Sequence, residues 1–296
     1  MRWSRDQFTS LALISPSLLA VAIFVYGFIA WSARVSFSKW QGLLPDYTSV
    51  GFQNYINLLT NDARFRIDVR NTVIFTVLFV GGCLFLGLFL ALLLDQGLRG
   101  ESFFRTLFLF PMATSFIVTG VVWRWLMNPA MGERMSGLNL LFDRLGLDFL
   151  INQWHTTRVW GMAAIAIPAI WQMSGYTMAL YLGGLRSISD DLREAARVDG
   201  ATEVEIYRHI ILPLLSPITL SAMIILGHIS LKVFDLIVAV AGKQLPLDVP
   251  AIYMWQTTFD GGFYGRGAAI GILLLISVAI LVVPYLAWST RNEAEL

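Results

Sequence analysis

Three observations on this 296-residue sequence predict an all-α, polytopic membrane fold with six transmembrane helices. Its residues are 56% hydrophobic and only 14% charged, with a mean hydropathy of +0.66, so a soluble fold would leave too much apolar surface facing water. The apolar residues gather into six charge-free runs, and crossing a hydrocarbon core of about 30 Å takes roughly 20 such residues at about 1.5 Å rise each. The polar, helix-forming stretch from Glu194 to Glu205 stands as an island in an otherwise very apolar chain.

The first run, Leu11 to Ala33, follows Arg2 and Arg5. It is too long for a secretory leader and no polar cleavage region follows, so it is read as an uncleaved anchor. Thr72 to Leu94 is the second run, and the third starts at Thr106 and reaches residue 127 if Arg124 snorkels at its end. Val159 to Leu185 is the fourth. The fifth is charge-free from Ile210 to Leu231 and is extended here to residue 240; the last is Gly267 to Thr290. The expectation is a single transmembrane domain over 1–296, with spans at 11–33, 72–94, 106–127, 159–185, 210–240 and 267–290 and a polar loop at 186–213.

Six spans put both termini on one side. With the N-terminus inside, the inner segments carry Arg2, Arg5, Arg99, Arg105, Arg186, Arg193, Arg197, Arg208 and Arg291 in about sixty residues, against about ten basic residues in roughly ninety-five outside. The outer loops, Arg34 to Asn71, Asn128 to Arg158 and Ala241 to Arg266, are rich in Trp, Tyr, Asn, Asp and Gly. Trp40 and Trp154 are read there as interfacial anchors.

Within the polar island, Asp191 with Glu194 and Thr202 with Glu205 are two successive N-terminal capping signatures. They predict two short helices hinged at Gly200, which can take the left-handed conformation that ends a helix. Val204, Tyr207, Ile210, Ile211 and Leu214 have the spacing of one helical face, so the second helix is expected to lie against the membrane-embedded body. The first is left to face outward. An ordinary solvated connector would carry the same local pattern.

Several chemistries are excluded or unsupported. A phosphate loop of the form G-x-x-x-x-G-K-[ST] is absent, and Gly265-x-Gly267-x-x-Ile270 fails the dinucleotide pattern at its last position. His155, His209 and His228 are too dispersed for a metal site, and Cys83, the one cysteine, rules out an internal disulfide. A net charge of +1 without basic runs gives no hint of nucleic-acid binding. Neither a nucleophile with its base nor a metal constellation marks the chain as an enzyme.

Polar side chains inside a span are informative because stranding one in hydrocarbon costs several kcal/mol. On a continuous fifth helix His228, Lys232 and Asp235 share one face, with Ser230 a little to the side. The stripe can line a substrate path, hold a structural Lys232–Asp235 pair, or form an ion relay in a secondary transporter or channel. In the fourth span Trp171, Gln172, Ser174 and Tyr176 combine aromatic faces with hydrogen-bonding groups, a mixture that suits either a sugar or aromatic packing.

The island also carries Glu194-Ala195-Ala196, three residues, Gly200, nine residues and Ile210-x-Leu212-Pro213. This resembles the coupling motif of permease subunits in binding-protein-dependent ATP-binding-cassette importers, and Asp199-Gly200-Ala201 resembles the sugar branch. Gly51-Phe52-x-Asn54-Tyr55, Asn71-Thr72-x-x-Phe75-Thr76, Phe104-Arg105-Thr106, Phe110-Pro111 and Trp171 with Gly175 extend the likeness over nearly the whole chain. One departure is Ala241-Gly242-Lys243-Gln244, where many relatives carry a Gly-Gly-Pro turn.

The resemblance implies the importer permease fold and a multi-pass protein of a bacterial or archaeal plasma membrane with both termini cytoplasmic. It further implies a second homologous permease, two ATP-binding subunits, an external sugar-binding protein and a sugar as partners. ATP and Mg would sit on the partner subunits, with no cofactor in this chain. Glu194, Ala195, Ala196, Asp199 and Gly200 would couple to an ATP-binding subunit, and the fourth and fifth spans would line the cargo path. Tyr176 occupies a position that contacts sugar in a maltose-type relative, while the matching fifth-span positions are Leu226, Ser230 and Val233. His228-Ile229-x-x-Lys232-x-Phe234-Asp235 with Asp248-x-Pro250-Ala251 is similar to glucose- and mannose-type permeases, which makes such a monosaccharide the expected cargo.

Overall fold

A computed structural model describes residues 5–157 and 160–293. Arg2, Arg158 and Val159, used above to orient or bound segments, lie outside the described residues. The regular structure of the described residues is helical, apart from an isolated antiparallel bridge between Ser38 and Ser49. Its helices are α1 (Arg5–Val21), α2 (Phe28–Ser36), α3 (Gln53–Ile56), α4 (Ala63–Asp95), α5 (Glu101–Leu109), α6 (Phe116–Leu126), α7 (Gly137–Arg144) and α8 (Gly161–Ser187). They continue as α9 (Asp190–Val198), α10 (Glu203–Ile206), α11 (Leu212–Leu214), α12 (Ser216–Leu231), α13 (Asp235–Ala241), α14 (Pro250–Trp255) and α15 (Tyr264–Glu293). Two compact units result: Met1–Phe65 with Pro250–Ile276, and Arg66–Val249 with Ser277–Leu296.

Three helical stretches are long and apolar enough to cross a bilayer, Leu13–Ser36, Ala63–Asp95 and Tyr264–Ala287, and up to five if each of two bent pairs is one span. The helix of the fourth expected span, α8, is not among these, since Trp171, Gln172, Ser174 and Tyr176 dilute its hydropathy. The chain over the third expected span, 106–127, is not one unbroken helix. It turns by 98° between Glu101–Ala113 and Phe116–Leu126. Pro111 has no N–H to give, Thr114 is extended (ψ 152°), and Ser115 caps the next helix by accepting from Val118 N–H at 3.2 Å.

The fifth expected span, 210–240, is likewise in pieces. A 59° bend separates Glu203–Leu214 from Ser216–Leu231, and a second break at residues 232–234 precedes α13, with Phe234 at φ −142°, ψ −62°.

In the first unit, Leu58, Phe65, Tyr253, Ala269 and Ile270 form the buried cluster. Asn54 braces the chain beside it by donating to the Ser36 and Ser38 carbonyls at 2.8 and 3.0 Å. In the second unit α8 is the most enclosed long helix. Gly175 lets it meet α5 at backbone distance, because a Cβ there would lie 1.9 Å from the Phe108 carbonyl oxygen. Gly175→Ala is therefore expected to cost at least about 1–3 kcal/mol, the range for overpacking, since backbone on both sides resists displacement. Size-exclusion recovery of the assembled complex should fall sharply. Recovery and melting like the parent's would show that the crossing is looser than this.

Candidate functional site

The island folds as two helices with a sharp joint. Ser189, extended at ψ 136°, caps α9 by accepting from Asp191 N–H at 3.2 Å. Asp191 is thus a first-turn residue rather than the cap the sequence suggested. A Ser oxygen serves the same unpaired N–H groups, and Asp190 and Asp191 add favourable negative charge there. At the other end Gly200 N–H donates to Arg197 O (3.1 Å) and Ala201 N–H to Ala196 O (3.0 Å). With Gly200 at φ +84°, this is a Schellman closure, which glycine adopts without steric penalty.

Two residues later the next helix starts on a capping box. The Thr202 hydroxyl accepts from Glu205 N–H at 3.4 Å, and the Glu205 carboxylate accepts from Thr202 N–H at 2.8 Å. The Thr202 backbone and hydroxyl hold the Glu205 carboxyl below its ordinary value. Across the joint Arg197 meets Glu203 at 2.7 Å; both are exposed, so the pair contributes little stability of its own.

The second helix lies against the body, but on a different face from the one the 3.6-residue spacing picks out. Ile206, Ile211 and Leu215 are buried, in a cluster with Leu90 and Leu94 of α4 and Met178, Tyr181 and Leu185 of α8. Val204 and Leu214 are exposed. The cause is a π turn at Tyr207–Ile211, whose extra residue per turn brings Ile206 and Ile211, five apart, to the same side.

α9 is tied at its root by Arg193, which reaches Asp95 at the end of α4 at 3.1 Å and the Leu185 carbonyl at 3.5 Å. Ala196 is half-buried against the same cluster. Glu194, Ala195, Asp199 and Gly200 are exposed. α9 is thus held on one side and open on the other.

The polar residues of the fourth and fifth expected spans separate into two groups. Lys232 and Asp235, both exposed, line a cavity of about 190 Å³ with Phe75, Phe79, Phe116, Ala169, Ile229, Val233, Phe234 and Leu236. Phe75 and Phe79 stack at 5.4 Å and 14°. The expected single stripe through His228 does not form, because the helix ends at Leu231 and resumes at Asp235. Among the described residues no ion pair joins Lys232 to Asp235.

The remaining residues, Val233 apart, are held within the chain or lie off this cavity. Ser230 is fully buried, donating to the Gly227 carbonyl at 2.7 Å and accepting from Thr76 at 2.9 Å, which locks α12 to α4. Gln172 is buried and donates to the Thr114 carbonyl at 2.8 Å, holding the bend of the third span, while its Oε1 has no partner. Ser174 is buried and its hydroxyl is 3.4 Å from the Trp171 carbonyl. Trp171 is 41% exposed and meets Trp123 edge-on at 5.9 Å. Tyr176 and His228 are half-buried and line no part of the cavity. Leu226 is buried, and Val233 lies on the cavity wall.

Sequence reasoning missed the cavity's aromatic wall. Phe75 and Phe79 stand at i and i+4 of a span, a spacing shared by any packed helix face, so only the fold distinguishes them.

The profile of a family described as the binding-protein-dependent transport system inner membrane component matches residues 83–291. A probable ABC transporter permease protein of Pyrococcus horikoshii is 43% identical over 295 residues, covering 99% of each chain. A xylose/arabinose import permease protein of Haloferax volcanii is 38% identical over 92% of this chain and 85% of its own. Among solved structures, a bacterial alginate ABC transporter in complex with an alginate pentasaccharide-bound periplasmic protein superposes with a TM-score of 0.79, at 21% identity over 97% of this chain and 96% of that one.

Proposed function

The chain belongs to the family of binding-protein-dependent transport system inner membrane components, and from that membership we propose that it is one permease subunit of an ATP-driven sugar importer. In this reading six spans, with both termini cytoplasmic, form half of a pathway completed by a homologous permease. The Glu194 to Gly200 bracket seats in an ATP-binding subunit, and an external sugar-binding protein delivers cargo. The observation that carries the coupling role is the bracket itself: α9 is fixed to α4 through Arg193 and Asp95 while Glu194 and Ala195 are exposed. A helix so mounted can pass a push from a docked subunit to the packed ends of α4 and α8 without bending. Hydrolysis then occurs on the partner, where ATP and Mg are bound.

For cargo, the cavity at the break of the fifth expected span offers what a sugar ring needs: the half-buried rings of Phe116 and Phe234 for its C–H surface, and an ammonium and a carboxylate for its hydroxyls. The favoured cargo is a glucose- or mannose-type monosaccharide, from the Lys232 to Asp235 sequence pattern. The Haloferax relative is named for pentoses, also monosaccharides.

Because Lys232 and Asp235 are exposed and unpaired with each other, Lys232→Met and Asp235→Leu should each leave complex yield near normal and lower uptake at least about tenfold, through lost hydrogen bonds to charged groups. The double change should bring no rescue. The measurement is competitive uptake of glucose, mannose and xylose in proteoliposomes with the binding protein and ATP. Poor yield in each single variant, restored in the double, would instead make the two residues a structural pair.

A further inference from the structure

The first unit holds a second polar cavity, remote in sequence from the fifth-span break. Asn54, Asn57 and Asn61 recur at i, i+3 and i+7, and they line it together with Asp62 and Arg266. Its frame is rigid. One Asp62 oxygen accepts from the Arg64 and Phe65 N–H groups at 2.9 and 3.1 Å, and the other accepts from the Tyr253 hydroxyl at 2.6 Å and from Arg266. The two charges therefore cancel, and neither an anion nor a cation is called for.

Neutral hydrogen-bonding capacity is left over. Both N–H groups of Asn54 are engaged by backbone carbonyls, which leaves its oxygen as an acceptor. Gln53 occupies the Asn57 oxygen at 2.8 Å, which leaves that amide nitrogen as a donor. The Asn61 side chain makes no hydrogen bond among the described residues. No aromatic ring and no aliphatic side chain lines the cavity, so stacking and apolar ligands are disfavoured.

The cavity, about 140 Å³, is worth four to five waters at about 30 Å³ each. That is room for one edge of a ring rather than a whole ligand. Amide donors and acceptors around a neutral, partly open space, those of Asn54 and Asn57 held by their own hydrogen bonds, match the alternating donor and acceptor hydroxyls of a polyol.

We propose that this cavity is a subsite for a neutral polyhydroxylated ligand, a sugar, separate from the span-embedded cavity. The choice of a sugar rests on the importer reading, which also assigns this segment to the outer side.

The test uses the whole complex in nanodiscs and a diazirine-bearing glucoside as probe, with labelled peptides mapped by mass spectrometry. Label on residues 53–62, competed by excess glucose and reduced about tenfold in Asn57→Ala/Asn61→Ala through the loss of two neutral hydrogen bonds, is the expected result. Both side chains are exposed, so the variant should be recovered normally. Label on the spans but none on 53–62, or label on 53–62 that the double variant leaves unchanged, would mean a water-filled gap only and overturn the subsite while leaving the importer intact. Failure of both labelling and uptake in the parent complex would overturn the importer reading as well.

Discussion

Reversing the charge at Glu194 with Glu194→Lys is expected to abolish sugar uptake and to strip the ATP-binding subunit from the purified complex, while sugar binding by the external carrier is unchanged. Gly200→Arg should do the same. Glu194 is exposed on the open side of α9, so its replacement removes no packing. At Gly200 nothing lies within 4 Å of where a Cβ would stand, and the cost to folding is only the left-handed backbone at φ +84°, roughly 1–2 kcal/mol for a residue with a side chain. That is too little to dislodge helices held by Arg193–Asp95 and by buried Ile206, Ile211 and Leu215. A complete loss of transport would therefore report a blocked seat rather than an unfolded one. Gly200→Ala separates the two effects: it carries the same backbone strain without the bulk, and should keep a measurable fraction of uptake. Normal transport and normal co-purification in both Glu194→Lys and Gly200→Arg would leave α9 a solvated connector.

The parts of this molecule that could be read in its sequence are those governed by solvent. Charge-free runs mark α4 and α15 because no backbone that long can lie in hydrocarbon except as a helix. The Thr202–Glu205 box and the Gly200 stop were legible because capping is local chemistry, settled within four residues. Features set by backbone detail were not. Pro111 stood in plain view as part of a family pattern, yet the 98° turn also needs the extended Thr114, its carbonyl held by Gln172 58 residues away. Lys232 and Asp235 look like one helix face at i and i+3, and the break between them leaves no trace in hydropathy. The π turn at Tyr207–Ile211 rotates the buried face by a step that a fixed 3.6-residue period cannot register. Ser230 is polar within an expected span, and hydropathy does not show that it is fully buried, giving its one donor to the Gly227 carbonyl and accepting from Thr76.

Asp62→Ala is expected to destabilise the first unit by about 3 kcal/mol, at the low end of the range for removing one partner of a buried ion pair. The carboxylate is 7% exposed, and Arg266, at 38%, can recover some hydration when left alone. The Tyr253 hydroxyl, with its ring under the Arg64 guanidinium at 4.3 Å, loses its acceptor in the same step.

The pH dependence follows from two opposite shifts. Burial pushes the Asp62 carboxyl up, but the hydrogen bonds from Tyr253 and Phe65 and the Arg266 charge outweigh it, and the net value lies below the ordinary one. A depressed carboxyl stabilises the fold above its unfolded value, about 3.9, and that contribution is lost as pH falls through the lower folded value. Burial and then Asp62 raise the Tyr253 hydroxyl. Its contribution is complete below the unfolded value, about 10, and is lost as pH rises toward the higher folded one. The parent should thus hold its stability between about pH 4 and 10 in this network and lose it at both ends, while Asp62→Ala should start lower and show a shallower acid limb. Denaturant midpoints of the detergent-solubilised complex across this range measure both limbs. An Asp62→Ala midpoint equal to the parent's at pH 7, with an acid limb of the same slope, would remove Asp62 from the interactions that hold the first unit together.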